Sequence, residues 1–293
     1  MRLVAPAKLN LCLYLGPRRA DGLHELVSLF EPLALNDAIE VTQLPDGRGD
    51  EVLCPGVAGE NLAARALAAL REQGWRGPPL RLRIEKRIPV AAGLGGGSAD
   101  AAAVLRLAAG EFVSPSERNA PPVPRADLAR IAAKLGADVP SQLRPAMALV
   151  RGAGERIEPL PAPPPHAVLL LSHGGGLSTA EVFAEADRLG LGRSEPELEG
   201  VTVQLRAAAA GGAPPFHYLD LLVNDLEPAA ISLRPEIGAT LQALRRSEAR
   251  KALLAGSGPT VVGLFSDLAA AQRAAEALGR EDAIACEAGR AAP

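Results

Sequence analysis

The chain has 293 residues, of which 48% are hydrophobic and 22% are charged, and its formal net charge is −3 at neutral pH. This length predicts about two domains with sizeable cores. The slightly acidic balance provides no overall attraction to nucleic acid or to an anionic membrane, so we expect neither as a partner.

Cysteine usage and hydropathy indicate where the protein works. Cys12, Cys54 and Cys286 lie far apart, lack the spacing of a metal site and cannot all pair, which is typical of a reducing compartment. The apolar run from Leu9 to Leu15 is too short and too interrupted for a signal or membrane segment. We therefore expect a cytoplasmic protein, and the sequence predicts no particular metal ligands.

The first half of the chain alternates predicted strands and helices. Lys8–Leu15 places its leucines on one face and reads as a strand. Pro17–Gly22 reads as a turn, and Glu111–Arg125, with four prolines and no periodicity, reads as a surface loop. The other predicted elements are strands at 38–44, 80–88 and 146–151 and helices at 61–73, 98–110 and 126–135.

A proline-rich stretch, Pro161–Pro165, is the candidate domain boundary and divides the chain into residues 1–160 and 161–293. The order of elements in the second part predicts an α+β sandwich. Flexible connections are expected over Gly190–Gly200 and Ala207–Pro215. The predicted elements are strands at 167–172, 251–255, 260–265 and 283–287 and helices at 178–189, 225–233, 235–246 and 268–278.

The most informative stretch is Pro89–Asp100, which carries four glycines in five positions between a predicted strand and a predicted helix. Glycines such as Gly96 allow positive φ and a close approach to a ligand. Amides that converge on a helix N-terminus bind anions, most often phosphate. The stretch matches neither the Walker loop nor the dinucleotide fingerprint. A plain tight turn is the alternative interpretation.

A phosphate loop without a Walker lysine needs a cation and a base from elsewhere, because phosphoryl transfer depends on positioning, on charge stabilisation and on one carboxylate. Lys8 is a charge within an apolar strand, so it is a candidate cation, although a lysine extending to solvent from a strand end is an equal alternative. Asp138 follows a predicted helix and is a candidate base, although such a residue is often a simple turn former.

Together these segments resemble the small-molecule kinases of the galactokinase, homoserine kinase, mevalonate kinase and phosphomevalonate kinase (GHMP) family. The resemblance runs nearly end to end and includes Pro6–Leu11, Arg19–Leu26, Pro89–Asp100, Leu135–Pro140, Asn224–Pro228 and Leu254–Gly258. The segments around Lys8, His24 and Asp138 resemble the branch of the family that phosphorylates cytidine diphosphate methylerythritol in the non-mevalonate isoprenoid pathway.

The resemblance implies an α+β, two-domain architecture, with an N-terminal ribosomal-protein-like domain and a C-terminal ferredoxin-like domain. It implies ATP and Mg²⁺ as cofactors and cytidine diphosphate methylerythritol as the small-molecule substrate. ATP and this substrate would meet in the cleft between the domains.

The resemblance also implies residue roles. Asp138 would be the catalytic aspartate and Lys8 its partner. The ATP-binding residues would be Asn61 and Lys86, near the adenosine, together with Pro89, Val90, Ala91, Ala92, Gly93, Leu94, Gly95, Gly96, Gly97 and Ser98. The acceptor substrate would contact Asn10, Leu23, His24, Thr179, Phe183, Gly256 and Ser257. Leu23 departs from the family, which usually has an aromatic residue before the histidine, so the stacking contribution of that ring is lost.

Two rival functions remain at this point. One is another kinase of the same family, of the homoserine or mevalonate type, which lacks the Asp21–Leu26 segment. The other is a noncatalytic RNA-binding module on a ribosomal-like fold, which the acidic net charge and the absence of a basic, aromatic-rich stretch disfavour.

Overall fold

The computed structural model of the protein describes residues 1–110 and 122–289, so most of the predicted surface loop at 111–125 lies outside the described residues. The elements of the first half are β1 (Arg2–Arg18), β2 (His24–Gln43), β3 (Glu51–Leu53), α1 (Leu62–Glu72), β4 (Leu80–Glu85), α2 (Gly96–Ala108), α3 (Arg125–Leu135), α4 (Val139–Gln142), β5 (Ala148–Gly152) and β6 (Arg156–Pro159).

The second half contains a strand, several helices, two strands, a helix and a final strand. Its elements are β7 (His166–Leu171), α5 (Thr179–Leu189), α6 (Glu195–Ala209), α7 (Glu227–Leu233), α8 (Glu236–Arg245), β8 (Lys251–Leu254), β9 (Val261–Phe265), α9 (Leu268–Leu278) and β10 (Ala283–Ala288). Three short 3₁₀ turns lie between α6 and α7, over residues 210–221.

The first sheet is built on the long antiparallel hairpin of β1 and β2, which turns at Arg19–Leu23. The two ends of β2 also pair with β5 and β4, while β6 extends β5 and β3 runs parallel to β4. Helices α1, α2 and α3 share one buried cluster with residues of β1, β2 and β4. Successive side chains of β1 point to opposite faces of the sheet, and both sets are buried. The charged side chain of Lys8 is therefore buried, which is unusual for a lysine.

The second sheet is antiparallel, in the order β10–β7–β9–β8. Its chain order is a β-α-β-β-α-β arrangement with the α5–α8 helices in the first connection, as the ferredoxin-like prediction requires. One residue pair, Leu33 with Ala288, joins the two sheets. Leu13 of β1 also exchanges backbone hydrogen bonds with Val223 and Asp225, both of 2.8 Å.

Local sequence explains the helices that border the site. In α1 the buried residues Ala63, Ala66, Leu67 and Leu70 recur at helical spacing. The side chain of Asn61 caps this helix by accepting a 2.8 Å hydrogen bond from the amide of Ala63. The same side chain therefore has a structural task as well as the predicted position beside the nucleotide.

Several of the predicted boundaries were wrong. The helix α6 takes up the end of the predicted connection Gly190–Gly200 and the start of Ala207–Pro215, and its first turn has a capping signal: the amide of Ser194 donates to Glu197 Oε2 at 2.8 Å. β2 begins at His24, well before the predicted strand at 38–44, because both of its faces are buried and its sequence does not alternate. The predicted strand 80–88 ends at Glu85, and the short strands β3 and β6 were not predicted.

Among the described residues, no helix combines the length and the apolar character that crossing a membrane requires.

Candidate active site

The glycine loop, residues Pro89–Ser98, connects β4 to the N-terminus of α2. Gly93 and Gly95 adopt φ of 76° and 70°, and Ala91 has φ of 55° although it is not glycine. A Cβ at Gly93 would lie 2.4 Å from the carbonyl oxygen of Ala255, so this loop touches the backbone of the second half. Only glycine fits such a combination of positive φ and close backbone contact.

The expected positive φ at Gly96 was wrong. Gly96 is the first residue of α2, and the left-handed residue before the helix is Gly95. A Cβ at Gly96 would instead lie 3.1–3.2 Å from Ile88 and the ammonium group of Lys86. Gly96 is therefore required for packing rather than for its backbone angle.

A cavity of about 480 Å³ lies along the glycine loop. The predicted ATP-binding residues all line it, and it also contains side chains that the sequence analysis did not name. Its lining comprises Pro89, Val90, Ala91, Ala92, Gly93, Leu94, Gly95, Gly96, Gly97 and Ser98, together with Asn61, Lys86, Cys54, Val57, Glu60, Leu62, Asp100 and Thr179. The N-terminus of α2 opens onto this cavity, which suits an anion.

Lys86 is not a free cation at this cavity. Its ammonium group forms ion pairs with the buried carboxylates of Asp37 and Asp100, the latter at 2.8 Å. Burial lowers the pKa of Lys86, but the charges and hydrogen bonds of these two carboxylates raise it by more. Burial also raises the pKa of Asp100, to about 7. Lys86 was predicted to contact the nucleotide, but its positive charge is already compensated by these two carboxylates.

Lys8 and Asp138 meet on the other side of the glycine loop. The ammonium nitrogen of Lys8 lies 3.3 Å from Asp138 Oδ2, and the side chains are 8% and 32% exposed. The lysine amide donates to the carbonyl of Leu94 at 3.0 Å, so the strand that carries Lys8 is tied to the loop. A Cβ at Gly95 would lie 3.0 Å from Cγ of Lys8, which shows how closely the loop covers this pair.

A short hydrogen-bonded chain positions Lys8 from behind. Lys8 donates to Asn10 Oδ1 at 2.5 Å, and Asn10 donates to the hydroxyl of Ser28 at 3.0 Å. The ammonium group also lies 4.8 Å from the centre of the Phe30 ring, a cation–π arrangement. Asn10 was predicted to contact substrate; it lines the cavity, but both polar atoms of its side chain are already bonded within the protein.

Asp138 is held at the start of a short helix. Gly136 ends α3 with extended backbone angles, and Asp138 immediately precedes α4. The hydroxyl of Ser141 donates to the carbonyl of Asp138 at 2.8 Å, and Gln142 reaches the carbonyl of Pro6 at 3.3 Å. The aspartate side chain makes no cap to its own helix, so its carboxylate is available to the cavity.

A second cavity, of about 700 Å³, adjoins the first and opens between the two halves of the chain. Both predicted catalytic residues and all seven predicted substrate residues line it: Lys8, Asn10, Leu23, His24, Asp138, Thr179, Phe183, Gly256 and Ser257. Gly93, Gly95, Ser98 and Thr179 line both cavities, so the glycine loop is the boundary between them.

One end of the larger cavity is aromatic and polar. The rings of His24 and Phe183 lie 5.3 Å apart at a tilt of 36°, while Leu23 is 55% exposed at the rim. His24 Nε2 lies 2.8 Å from Asp187 Oδ1 of α5. Asp187 was not predicted as a site residue, although its position four residues after Phe183 on a predicted helix places both side chains on one face.

The loop Gly256–Pro259 covers the cavity from the second half. Asn224 donates to the carbonyls of Leu254 and Gly256 at 2.8 and 2.7 Å. The hydroxyls of Thr179 and Ser257 lie 3.0 Å apart. Asn224 belongs to one of the segments that carried the family resemblance, but the sequence assigned it no task; the structure makes it the support of this loop.

Two family models match the chain. The GHMP kinases N terminal domain matches residues 61–145, and the GHMP kinases C terminal domain matches residues 216–284. The two matches include the glycine loop, Asp138 and the loop at Gly256. The fold and the site therefore define a two-domain GHMP kinase, as the sequence predicted.

Individual relatives are more specific. A 4-diphosphocytidyl-2-C-methyl-D-erythritol kinase of Thermobifida fusca is 40% identical over 287 residues, which cover 93% of this chain and 89% of that protein. A crystal structure of 4-(cytidine 5'-diphospho)-2C-methyl-D-erythritol kinase is 35% identical, with a TM-score of 0.74, and covers 99% of this chain and 100% of that chain. The chain belongs to the 4-diphosphocytidyl-2-C-methyl-D-erythritol kinase family.

The rival within the superfamily is more distant. A homoserine kinase structure from Cytophaga hutchinsonii aligns with 99% of this chain and 94% of its own at a TM-score of 0.69, but with 16% sequence identity. Such a likeness reflects the common fold alone.

Proposed function

We propose that this protein transfers the γ-phosphoryl group of ATP to the 2-hydroxyl of 4-(cytidine 5'-diphospho)-2-C-methyl-D-erythritol. The observation that carries the proposal is the Lys8–Asp138 ion pair of 3.3 Å on the substrate side of the glycine loop. The products are ADP and the 2-phosphate. Membership of the kinase family supports this substrate over homoserine or mevalonate.

In this mechanism the oxygen of the substrate hydroxyl attacks the γ-phosphorus while Asp138 accepts the proton of that hydroxyl. The new oxygen–phosphorus bond forms while the bond to the β-phosphate oxygen breaks and ADP leaves. The ammonium group of Lys8, buried beside the carboxylate, stabilises the negative charge that develops on the attacking oxygen. The amides at the start of α2 stabilise the transferring group.

Magnesium fits the donors that surround the loop. Within residues 1–110 and 122–289, no group of three or more His, Cys, Asp or Glu side chains is placed to hold a metal ion. Mg²⁺ in kinases is held mainly by phosphate oxygens and needs only one or two protein ligands. Ser98 lines both cavities at the start of α2, and its hydroxyl would supply such an oxygen. When bound, the ion neutralises charge on the phosphates.

The proposal assigns the smaller cavity to ATP and the larger one to the cytidine substrate, with His24, Phe183 and Leu23 at the base. It divides the chain at Pro161–Pro165, between two sheets that one residue pair joins. It also places the protein in the cytoplasm, where ATP is available, with no nucleic-acid or membrane partner.

A coupled ADP-release assay tests the function. We expect ADP release with the cytidine diphosphate substrate and none above background with mevalonate or homoserine. Phosphorylation of mevalonate or homoserine in preference to the cytidine substrate would refute the assignment.

A further inference from the structure

The contact between His24 and Asp187 links the two halves of the chain across the larger cavity. His24 is the first residue of β2 and its side chain is 6% exposed, whereas Asp187 lies on α5 and its side chain is 44% exposed. The distance from Nε2 to Oδ1, 2.8 Å, is that of a hydrogen bond. Because both side chains line the cavity, this bond lies at its wall rather than in the core.

The chemistry of the two groups decides where the proton of the imidazole sits. An ionised carboxylate can only accept hydrogen bonds, so the ring nitrogen that faces it must carry hydrogen. In a neutral imidazole the other nitrogen, Nδ1, is then an acceptor. Nδ1 makes no hydrogen bond with any residue of the ranges 1–110 and 122–289, and it is not fully buried on a side chain that lines the cavity.

The packing of the ring restricts its rotation. Phe183, one helical turn before Asp187, lies against one face of His24 at 5.3 Å between ring centres. The imidazole is therefore held by a ring contact and by a hydrogen bond from the same helix. A nitrogen acceptor in a fixed direction selects a partner that presents a donor at that place.

We propose that Asp187 is a positioning residue that holds His24 in the tautomer with hydrogen on Nε2, so that Nδ1 selects an exocyclic amino group over a carbonyl and the site prefers cytosine to uracil. This inference rests on the proposed function, because it assigns the aromatic end of the cavity to the base. A carbonyl would face Nδ1 as a second acceptor and leave both groups unpaired, which costs affinity.

The first test observes the tautomer directly. Imidazole nitrogen NMR at about pH 8, where an ordinary imidazole is neutral, distinguishes the protonated nitrogen from the acceptor nitrogen. The chain has four histidines, so the signal that disappears in His24→Gln identifies the residue. We expect the Nε2–H form in the wild type and a mixed or inverted tautomer in Asp187→Asn, because an amide can donate to Nε2 as well as accept from it.

The second test measures base selectivity without turnover. Calorimetry would compare CDP with UDP while an ATP analogue that cannot transfer its γ-phosphoryl group saturates the nucleotide cavity. We expect the wild type to bind CDP at least about tenfold more tightly than UDP, and this ratio to fall to within about threefold in Asp187→Asn and Asp187→Ala. Asp127→Asn, which removes a carboxylate from the exposed Arg130 pair on α3, is the matched control and should leave the ratio unchanged.

The outcomes separate this inference from the proposed function. Wild-type His24 in the Nδ1–H form, equal binding of CDP and UDP, or an unchanged ratio in both variants would each overturn the role of Asp187. Absence of ADP release with the cytidine substrate would instead refute the kinase assignment, and it would not alter the NMR or calorimetric result.

Discussion

At the scale of single residues, the site depends on one buried cation and the groups around it. Lys8 contacts Asp138, Asn10 and the Phe30 ring at once, which leaves its ammonium group one defined position. A lysine that merely extended to solvent from a strand end would be exposed, whereas Lys8 is buried. This burial favours the catalytic interpretation, and the following variants test it.

Asp138→Asn and Lys8→Ala should each lower kcat by about 10²–10⁴-fold, since the first removes the proton acceptor and the second removes the adjacent positive charge. The double variant should be little worse than the poorer single one, because residues that act as a unit are not additive. Steady-state kinetics, ATP affinity and Tm measured on the three proteins would check this.

ATP affinity should change little in the same variants, because the proposed phosphate contacts are made by the glycine loop. Asp127→Asn on α3 is a suitable control for the loss of a carboxylate. If Asp138 only formed a turn, Tm would fall while turnover stayed intact, and a folded Asp138→Asn enzyme with near-normal kcat would rule out the mechanism.

Leu23 is 55% exposed at the rim of the cavity, close to the residues proposed to hold the base. Leu23→Tyr should lower KM for the cytidine substrate, since a stacked ring contributes about 0.5–1.5 kcal/mol beyond its buried area. KM for ATP should stay the same, because Leu23 does not line the smaller cavity. An unchanged or higher KM for the cytidine substrate would mean that the base does not reach this wall.

At the scale of elements, the glycine loop contacts the main structural elements that surround the site. It follows β4, starts α2, bonds to β1 and packs on the loop at Gly256. A change in its path would therefore displace the amides that are proposed to bind phosphate, together with the cover over Lys8.

Gly93→Ala should weaken ATP binding strongly, because a Cβ there would lie 2.4 Å from the Ala255 carbonyl and force the loop away. Gly190→Ala is the matched control: its φ of +68° is close to the +76° of Gly93, but a Cβ there has no neighbour within 4 Å. Both variants should lose about 1–2 kcal/mol of stability from left-handed strain. Calorimetric titration with ATP should distinguish them, and equal ATP affinity in both would show that the loop path is unimportant.

At the scale of the whole molecule, a buried ion pair lies where the two sheets meet. His166, the first residue of β7, has Nε2 at 3.3 Å from Glu31 Oε2 of β2, and both side chains are essentially inaccessible. Burial lowers the pKa of His166, but the interaction with the carboxylate of Glu31 raises it by more, so it lies above its ordinary value. Phe216 packs against the imidazole in a T-shaped arrangement, and burial together with the charge of Glu31 raises the pKa of Tyr218.

A histidine with a raised pKa in the folded state stabilises the fold fully below its unfolded pKa of about 6.5, and this contribution is lost as pH rises through the folded value. The free energy of unfolding should therefore decrease above about pH 6.5 in the wild type and lose that part of the slope in His166→Gln. Denaturant titrations between about pH 5.5 and 9 measure it. His217→Gln, at an exposed histidine, should retain the wild-type slope, and identical profiles for all three proteins would contradict the argument.

Local sequence was sufficient for much of this protein. The glycine loop between a strand and a helix, the helix α1 and, apart from α6, the strand–helix order of the second half were predicted, because spacing and turn residues determine them within a few positions. The family resemblance rested on the same short segments. The predicted site residues all line one of the two adjoining cavities, while their chemical roles stay predictions.

Only the tertiary structure decided which of these groups have partners. Lys8 and Asp138 are 130 positions apart and meet because α4, which follows Asp138, packs against α2 at the end of the glycine loop, and the bond of His24 to Asp187 crosses between the halves. The structure likewise shows that two carboxylates compensate the charge of Lys86 and that Asn10 accepts a hydrogen bond from Lys8. Periodicity reports which face of an element is buried. It does not indicate which side chain from a distant part of the sequence will pack against that face. At this site the pairs Lys8–Asp138 and His24–Asp187 form between such distant positions, and they determine how charges and hydrogen bonds are arranged.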